Sequence, residues 1–188
     1  LMNIYNEFEK MKGESTGEEL GEISISLPTY DSPLWYYSLG EPTWLLPKKS
    51  QDCKKVIVLA YANEGIKEES KGHIQREESI GRLTRALPFY LGEKIQHEIE
   101  LLLNVIIPTI KDVGPIVSRK VYEDDYIKDL LVKRNGDYMV TGGIREEEDS
   151  IYIESYIYDK FDNKLKISKN LNKISFGSEF NEMIKEII

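Results

Sequence analysis

The chain has one cysteine and two histidines in 188 residues. Cys53 has no second thiol, so neither an intrachain disulfide nor a cysteine-rich zinc site can form. His73 and His97 stand far apart and outside any His-x-x-x-His or His-x-Glu setting, which leaves them as surface or helix-side histidines. Gly-x-Gly-x-x-Gly and Gly-x-x-x-x-Gly-Lys are both missing, so Gly142-Gly143 is not a phosphate loop. No apolar run approaches the length of a membrane span. Positive charge is in deficit: 25 Lys and Arg against 33 Asp and Glu give a net charge of −8, the opposite of a nucleic-acid footprint.

These absences exclude more than they assign. No cofactor, metal or nucleic acid is expected. The acidic runs at 123–125 and 146–149 lack the alternating oxygen ligands of a calcium loop and read as a helix start and a hairpin tip. Lys164, Lys166, Lys169 and Lys173 crowd one stretch and read as the solvent side of a strand. Carboxylate pairs for hydrolysis are numerous, and nothing selects one.

What is present is the composition of one globular domain: 40% hydrophobic and 31% charged residues. Residues 1–50 form an N-terminal part, with a loose helix over the first ten residues and a Gly/Glu/Ser/Thr link at 12–22. A short strand carrying Ile23, Ile25 and Leu27 follows, and then a proline-dense aromatic segment with Trp35, Tyr36, Tyr37 and Trp44. That segment is expected to wrap the domain and use its aromatics as anchors.

Residues 51–188 form the domain proper. The apolar run 55–62 predicts a central strand covered on both faces. Residues 64–78 are charged and read as a loop or frayed helix entry. Ile80, Leu83, Leu87, Leu91, Ile95, Ile99 and Leu102 have helical spacing, so the longest helix is expected over 79–103, kinked or restarted near Pro88. Irregular or edge strands are expected at 105–110 and 113–117. Acids at its start, bases at its end and Asn135-Gly136 beyond predict a helix over 121–134.

Strands at 138–144, 151–158 and 165–171 follow as a meander, and Ser178 is expected to cap a last helix bearing Phe180, Met183, Ile184 and Ile187. The fold class is therefore α/β (α+β): a mixed sheet of about five strands with two or three helices packed on it, a C-terminal antiparallel meander and an extended N-terminal segment.

Val56 to Ala62 and the stretch Gly136-Asp137-Tyr138-Met139-Val140-Thr141-Gly142-Gly143-Ile144 carry a resemblance. In this order, with a further strand at 151–158, the chain resembles the amino-terminal domain of the TolB family and related outer-membrane-associated assembly proteins. Ala60 stands where that family has proline, and the first fifty residues have no counterpart. The resemblance implies a protein-interaction or assembly module without catalytic residues, associated with the cell envelope.

The alternation of the middle meander strand puts Tyr152, Tyr156 and Tyr158 on one face, an amphipathic patch suited to a protein partner. Trp35 and Trp44 are the second candidate contact. The alternative function is a hydrolase or small-ligand enzyme whose carboxylates come from distant loops. Leu1 precedes Met2, so the first residue is not an initiator. The expected location is the periplasm or envelope where a signal has been removed, and the cytoplasm otherwise, with membrane contact only through an unseen anchor.

Overall fold

The computed structural model describes residues 25–46, 49–50, 52–66, 77–98, 101–111, 113–161 and 163–188. The loose helix and link expected within the first 22 residues, most of the charged segment 64–78, and His73 lie outside them. The chain runs β1 (Ile25–Ser26), β2 (Thr29–Tyr30), α1 (Leu34–Ser38), β3 (Lys55–Leu59), β4 (Ala62–Asn63), α2 (Ser79–Glu98) and β5 (Leu102–Ile106). It continues through β6 (Thr109–Ile110), β7 (Gly114–Pro115), α3 (Asp124–Lys133), β8 (Tyr138–Glu146), β9 (Ser150–Asp159), β10 (Lys164–Asn172) and α4 (Phe176–Ile187).

The main sheet has seven strands in the order β10-β9-β8-β3-β5-β2, with β4 pairing β8, and a small sheet orders β1-β6-β7. β3 lies parallel to β5 and β8, whereas β8, β9 and β10 form the antiparallel meander. The class is the expected α+β with a C-terminal meander. The strands beyond five are two-residue pairings too short to show a period in sequence.

One core lies between the sheet and helices α2 and α4, holding Val58, Leu87, Leu91, Val140, Ile153, Leu171 and Met183. The other lies under α3, holding Ile57, Leu59, Ile106, Ile127, Met139 and Tyr158. β3 is buried on both faces, as its continuous apolar run requires. Residues 102–103 belong to β5 and not to the long helix, and β5 is flanked by β3 and β2 instead of lying at an edge. Leu102 and Leu103 fit either period, and pairing with Lys55 and Val56 decides for the strand. The last helix begins at Phe176, with Ser175 and not Ser178 at its N-cap.

Helix α2 runs unbroken through Pro88. Proline has no N–H to give the carbonyl four residues back, which is that of Thr84. The N–H of Tyr61 takes that place at 3.1 Å. The lost helical bond thus becomes a tie between α2 and the end of the central strand.

That tie sits at a bulge. Val58 pairs with Val140 and Ala62 with Gly143, so three residues of one strand stand opposite two of the other. Ala60 and Tyr61 both enter the α2-side core as a result. Two main-chain groups of the bulge find partners on the neighbouring strands: the Ala60 N–H donates to the Ile106 carbonyl at 3.0 Å, and the Thr141 hydroxyl donates to the Ala60 carbonyl at 3.2 Å.

The Tyr61 ring then crosses β8 and its hydroxyl meets that of Ser155 on β9 at 2.8 Å, with both residues fully buried. Gly142 makes this possible. A Cβ there would lie 2.7 Å from the Tyr61 ring and 1.8 Å from the Glu154 carbonyl oxygen. At Gly143 a Cβ would meet the Glu64 side chain at 2.6 Å. Thr141, Gly142 and Gly143 therefore accommodate, in turn, the bulge carbonyl, the tyrosine ring and the glutamate.

Gly142→Ala is expected to lower the unfolding free energy by about 3 kcal/mol or more, since backbone must move. Gly143→Ala meets only a flexible side chain and is expected to lower it by roughly 1 kcal/mol, a loss that Glu64→Ala relieves. Urea titration of the three variants checks this, and equal losses at the two glycines would contradict it.

Candidate functional site: an open tyrosine face

Helix α3 covers only part of its side of the sheet. Tyr158 lies beneath it at 2% exposure and donates to the Asp124 carboxylate at 2.8 Å. Tyr158 is thus a core residue and does not stand on the surface with Tyr152 and Tyr156. Period two puts all three on one face, but covering by a helix is decided by tertiary packing, which the strand pattern does not contain.

Beyond α3 no helix among the described residues covers the face. Its register aligns Thr141 with Tyr156 and Lys166, Gly143 with Glu154 and Ser168, and Arg145 with Tyr152 and Asn170. Glu154 is at the centre. Its carboxylate accepts from the Tyr152 hydroxyl at 3.0 Å, from the Tyr156 hydroxyl, and from the Lys166 ammonium at 2.5 Å. Only 13% of the Glu154 side chain is exposed, so these partners replace water.

Each tyrosine ring also carries a cation. The Arg145 guanidinium lies 3.8 Å from the centre of the Tyr152 ring, and the Lys164 ammonium lies 4.2 Å from that of Tyr156. Lys164 is held in turn by Asp124 at 2.7 Å. Hydrogen bonds from Lys164 and Tyr158 hold the Asp124 carboxyl below its ordinary range. The four lysines expected on a solvent face are all paired, with Asp124, Glu154, Glu186 and Glu146 in chain order.

Glu64 joins this face from the turn after β4, where its side chain lies over Gly143. Partial burial pushes its carboxyl upward, and the Glu154 charge adds to the shift. Sequence reasoning did not single out Glu64, Glu154 or Arg145. Glu154 shared the strand period with the tyrosines, whereas Glu64 is placed only by the bulge.

The tryptophans are elsewhere. Trp35 stacks on His97 at the end of α2, with ring centres 6.0 Å apart and planes 7° from parallel, on the opposite side of the sheet. Trp44 is 82% exposed in the turn after α1, so it does not anchor the segment. Anchoring falls to Tyr30, edge-on to Phe89 at 5.2 Å, and to Leu27, whose carbonyl accepts from Arg134 at 3.2 Å. The residues chosen from sequence therefore do not form one site.

A depression of about 150 Å³ is lined by Lys54, Asp137, Tyr138, Asp159, Lys160 and Phe161. It opens at the amino ends of β3 and β8 and is smaller than ordinary small-molecule pockets. Among the described residues no group of three or more His, Cys, Asp or Glu is gathered, and no helix is long and apolar enough to cross a membrane. Gly13-Glu14-Ser15-Thr16-Gly17 has the spelling of a nucleophile elbow. No apolar run precedes it in the sequence, which that motif needs, and it lies outside the described residues.

No protein-family profile and no curated protein sequence matches the chain. Among solved structures it resembles TolB from Acinetobacter baumannii at 9% identity and a TM-score of 0.37, over 80% of this chain and 26% of TolB. The chain thus spans about a quarter of that protein. It also resembles a PelC dodecamer from Paraburkholderia phytofirmans at 10% identity and a TM-score of 0.35, over 86% of this chain and 94% of that one. A third likeness is lipoprotein GNA1162 from Neisseria meningitidis, at 9% identity and 0.37, over 71% and 95%. None of the three transfers a function to this chain.

The Glu64 shift has a consequence for pH. A carboxyl raised in the folded state binds its proton more tightly there, so it favours folding at low pH and opposes it as pH rises from the ordinary value of 4.5. Glu64→Gln is expected to raise the thermal midpoint at about pH 7 and to leave it nearly unchanged at about pH 4. An equal effect at both pH values, followed by calorimetry, would contradict the assignment.

Proposed function

We propose that this chain is a noncatalytic protein-interaction or assembly domain, and that Tyr152 and Tyr156 are the centre of its partner contact. The observation that carries this reading is the locking of both hydroxyls on Glu154 while Arg145 and Lys164 cap the rings, on sheet that α3 leaves open. Tyrosines fixed in this way offer large apolar area with little rotamer entropy left to lose on binding, the property of good contact surfaces. Tyr158 supports the patch from below. Trp35 and Trp44 make a separate, secondary contact candidate. Association with the cell envelope is part of the same proposal and rests on the sequence resemblance of residues 136–144.

One observation favours the alternative of an enzyme: Glu64 and Glu154 share this face, and Glu64 is pushed upward by burial first and by the Glu154 charge second. Paired carboxyls in unlike environments can divide acid and base roles. Hydrolytic activity lost in both Glu64→Gln and Glu154→Gln, with folding intact, would establish that role.

The contact reading is tested by placing a photo-crosslinking amino acid at Tyr152, at Tyr156 and, as a control on α4, at Lys185 in the producing cell. Discrete adducts are expected from the first two positions and none from the third. Adducts from Lys185 alone, or from no position, would overturn the reading.

A further inference from the structure

The outer strand of the main sheet is β10, and among the described residues no strand lies beyond it. Antiparallel pairs alternate between those that exchange main-chain bonds and those that do not. Two bonds identify the alternation here: the Asp159 N–H donates to the Asn163 carbonyl at 3.1 Å, and the Lys173 N–H donates to the Asp149 carbonyl at 3.0 Å. Counted along the β9–β10 register, residues 165, 167, 169 and 171 turn their main-chain groups toward β9. Lys164, Lys166, Ser168 and Asn170 turn theirs outward. Asn172 has the same parity, and its N–H is taken from outside by the Glu179 carboxylate at 2.9 Å, which agrees with this assignment.

Long edge strands are usually blunted by proline, by a bulge or by charges projecting over the edge. β10 has nine residues, no proline and an unbroken register. Lys164 and Lys166 are drawn back across the sheet face to Asp124 and Glu154, and Lys169 is drawn to Glu186 on α4. The edge is therefore close to neutral, with four outward-bonding residues in a row.

We propose that β10 pairs antiparallel with β10 of a second copy of this chain, about a two-fold axis at Ile167, so that the two main sheets join edge to edge. In that register Lys164 faces Asn170 of the other copy, Lys166 faces Ser168, and Leu165 faces Lys169. No like charges oppose one another, and all four outward residues are used. The neighbouring registers are worse. An axis at Lys166 opposes that lysine to itself and leaves Asn170 unpaired, and an axis at Ser168 needs the Asn172 N–H that Glu179 already holds. A foreign strand would have to bring polar partners matched to these positions, whereas the self-pair supplies its own. The proposal does not depend on the tyrosine-face reading.

Sedimentation equilibrium of the full chain, from micromolar to millimolar concentration, tests it. A monomer–dimer equilibrium is expected. Ser168→Pro removes only an outward N–H and is expected to abolish the dimer. Ser168 is exposed, so two further variants spare the monomer. Ser168→Lys opposes Lys166 across the axis twice and is expected to weaken the dimer by a few-fold to about tenfold, and Ser168→Asp to tighten it by a similar factor. A chain that stays monomeric throughout, or a dimer equally tight in the Lys and Asp variants, would overturn the proposal.

Discussion

The hydroxyl of Tyr61 reaches Ser155 from two strands away, across a position where any side chain would strike the Glu154 carbonyl. A buried phenol without a partner would destabilise the fold, so the bond requires three elements to agree. β3 must bulge to aim the ring, β8 must lack a side chain beneath it, and β9 must present a hydroxyl. Burial pushes the Tyr61 phenol upward and keeps it neutral. α2 joins the same arrangement through Thr84, whose carbonyl is left over by Pro88 and taken by the Tyr61 N–H.

The open face inherits its form from this point. Gly142 allows β9 to sit close against β8, and the bulge sets the register in which Glu64 arrives over Gly143. Glu154, whose carbonyl bounds the space at Gly142, turns its carboxylate to the opposite side and collects Tyr152, Tyr156 and Lys166. One strand thus serves a buried polar contact on one side and a surface cluster on the other. That follows from the two-residue period of a strand.

The elements with a strong local signal were legible: the doubly buried β3 from its continuous apolar run, the α3 helix from its terminal charges, and the three meander strands from their alternation and turns. So was the alternation that brought Tyr152 and Tyr156 together. Other features depend on contacts between distant residues. Tyr158 follows the same period as its neighbours, and only α3 makes it a core residue. Leu102 continues a helical spacing and still joins β5, because an adjacent parallel strand offers it main-chain bonds. Pro88 signals a break in any helix, but Tyr61 supplies the missing donor and the helix continues. The Thr-Gly-Gly stretch was visible as a pattern, and its reasons, a carbonyl, a ring and a carboxylate from the facing strand, were not.

The central claim is that Tyr61 and Ser155 act as a pair which holds the bulged strand to the meander. A double-mutant cycle with Tyr61→Phe, Ser155→Ala and both together measures it in urea unfolding. The account predicts a coupling of about 1 kcal/mol or more, with the double variant less destabilised than the two single losses added. Strict additivity would show that the two hydroxyls do not depend on each other and would contradict the account.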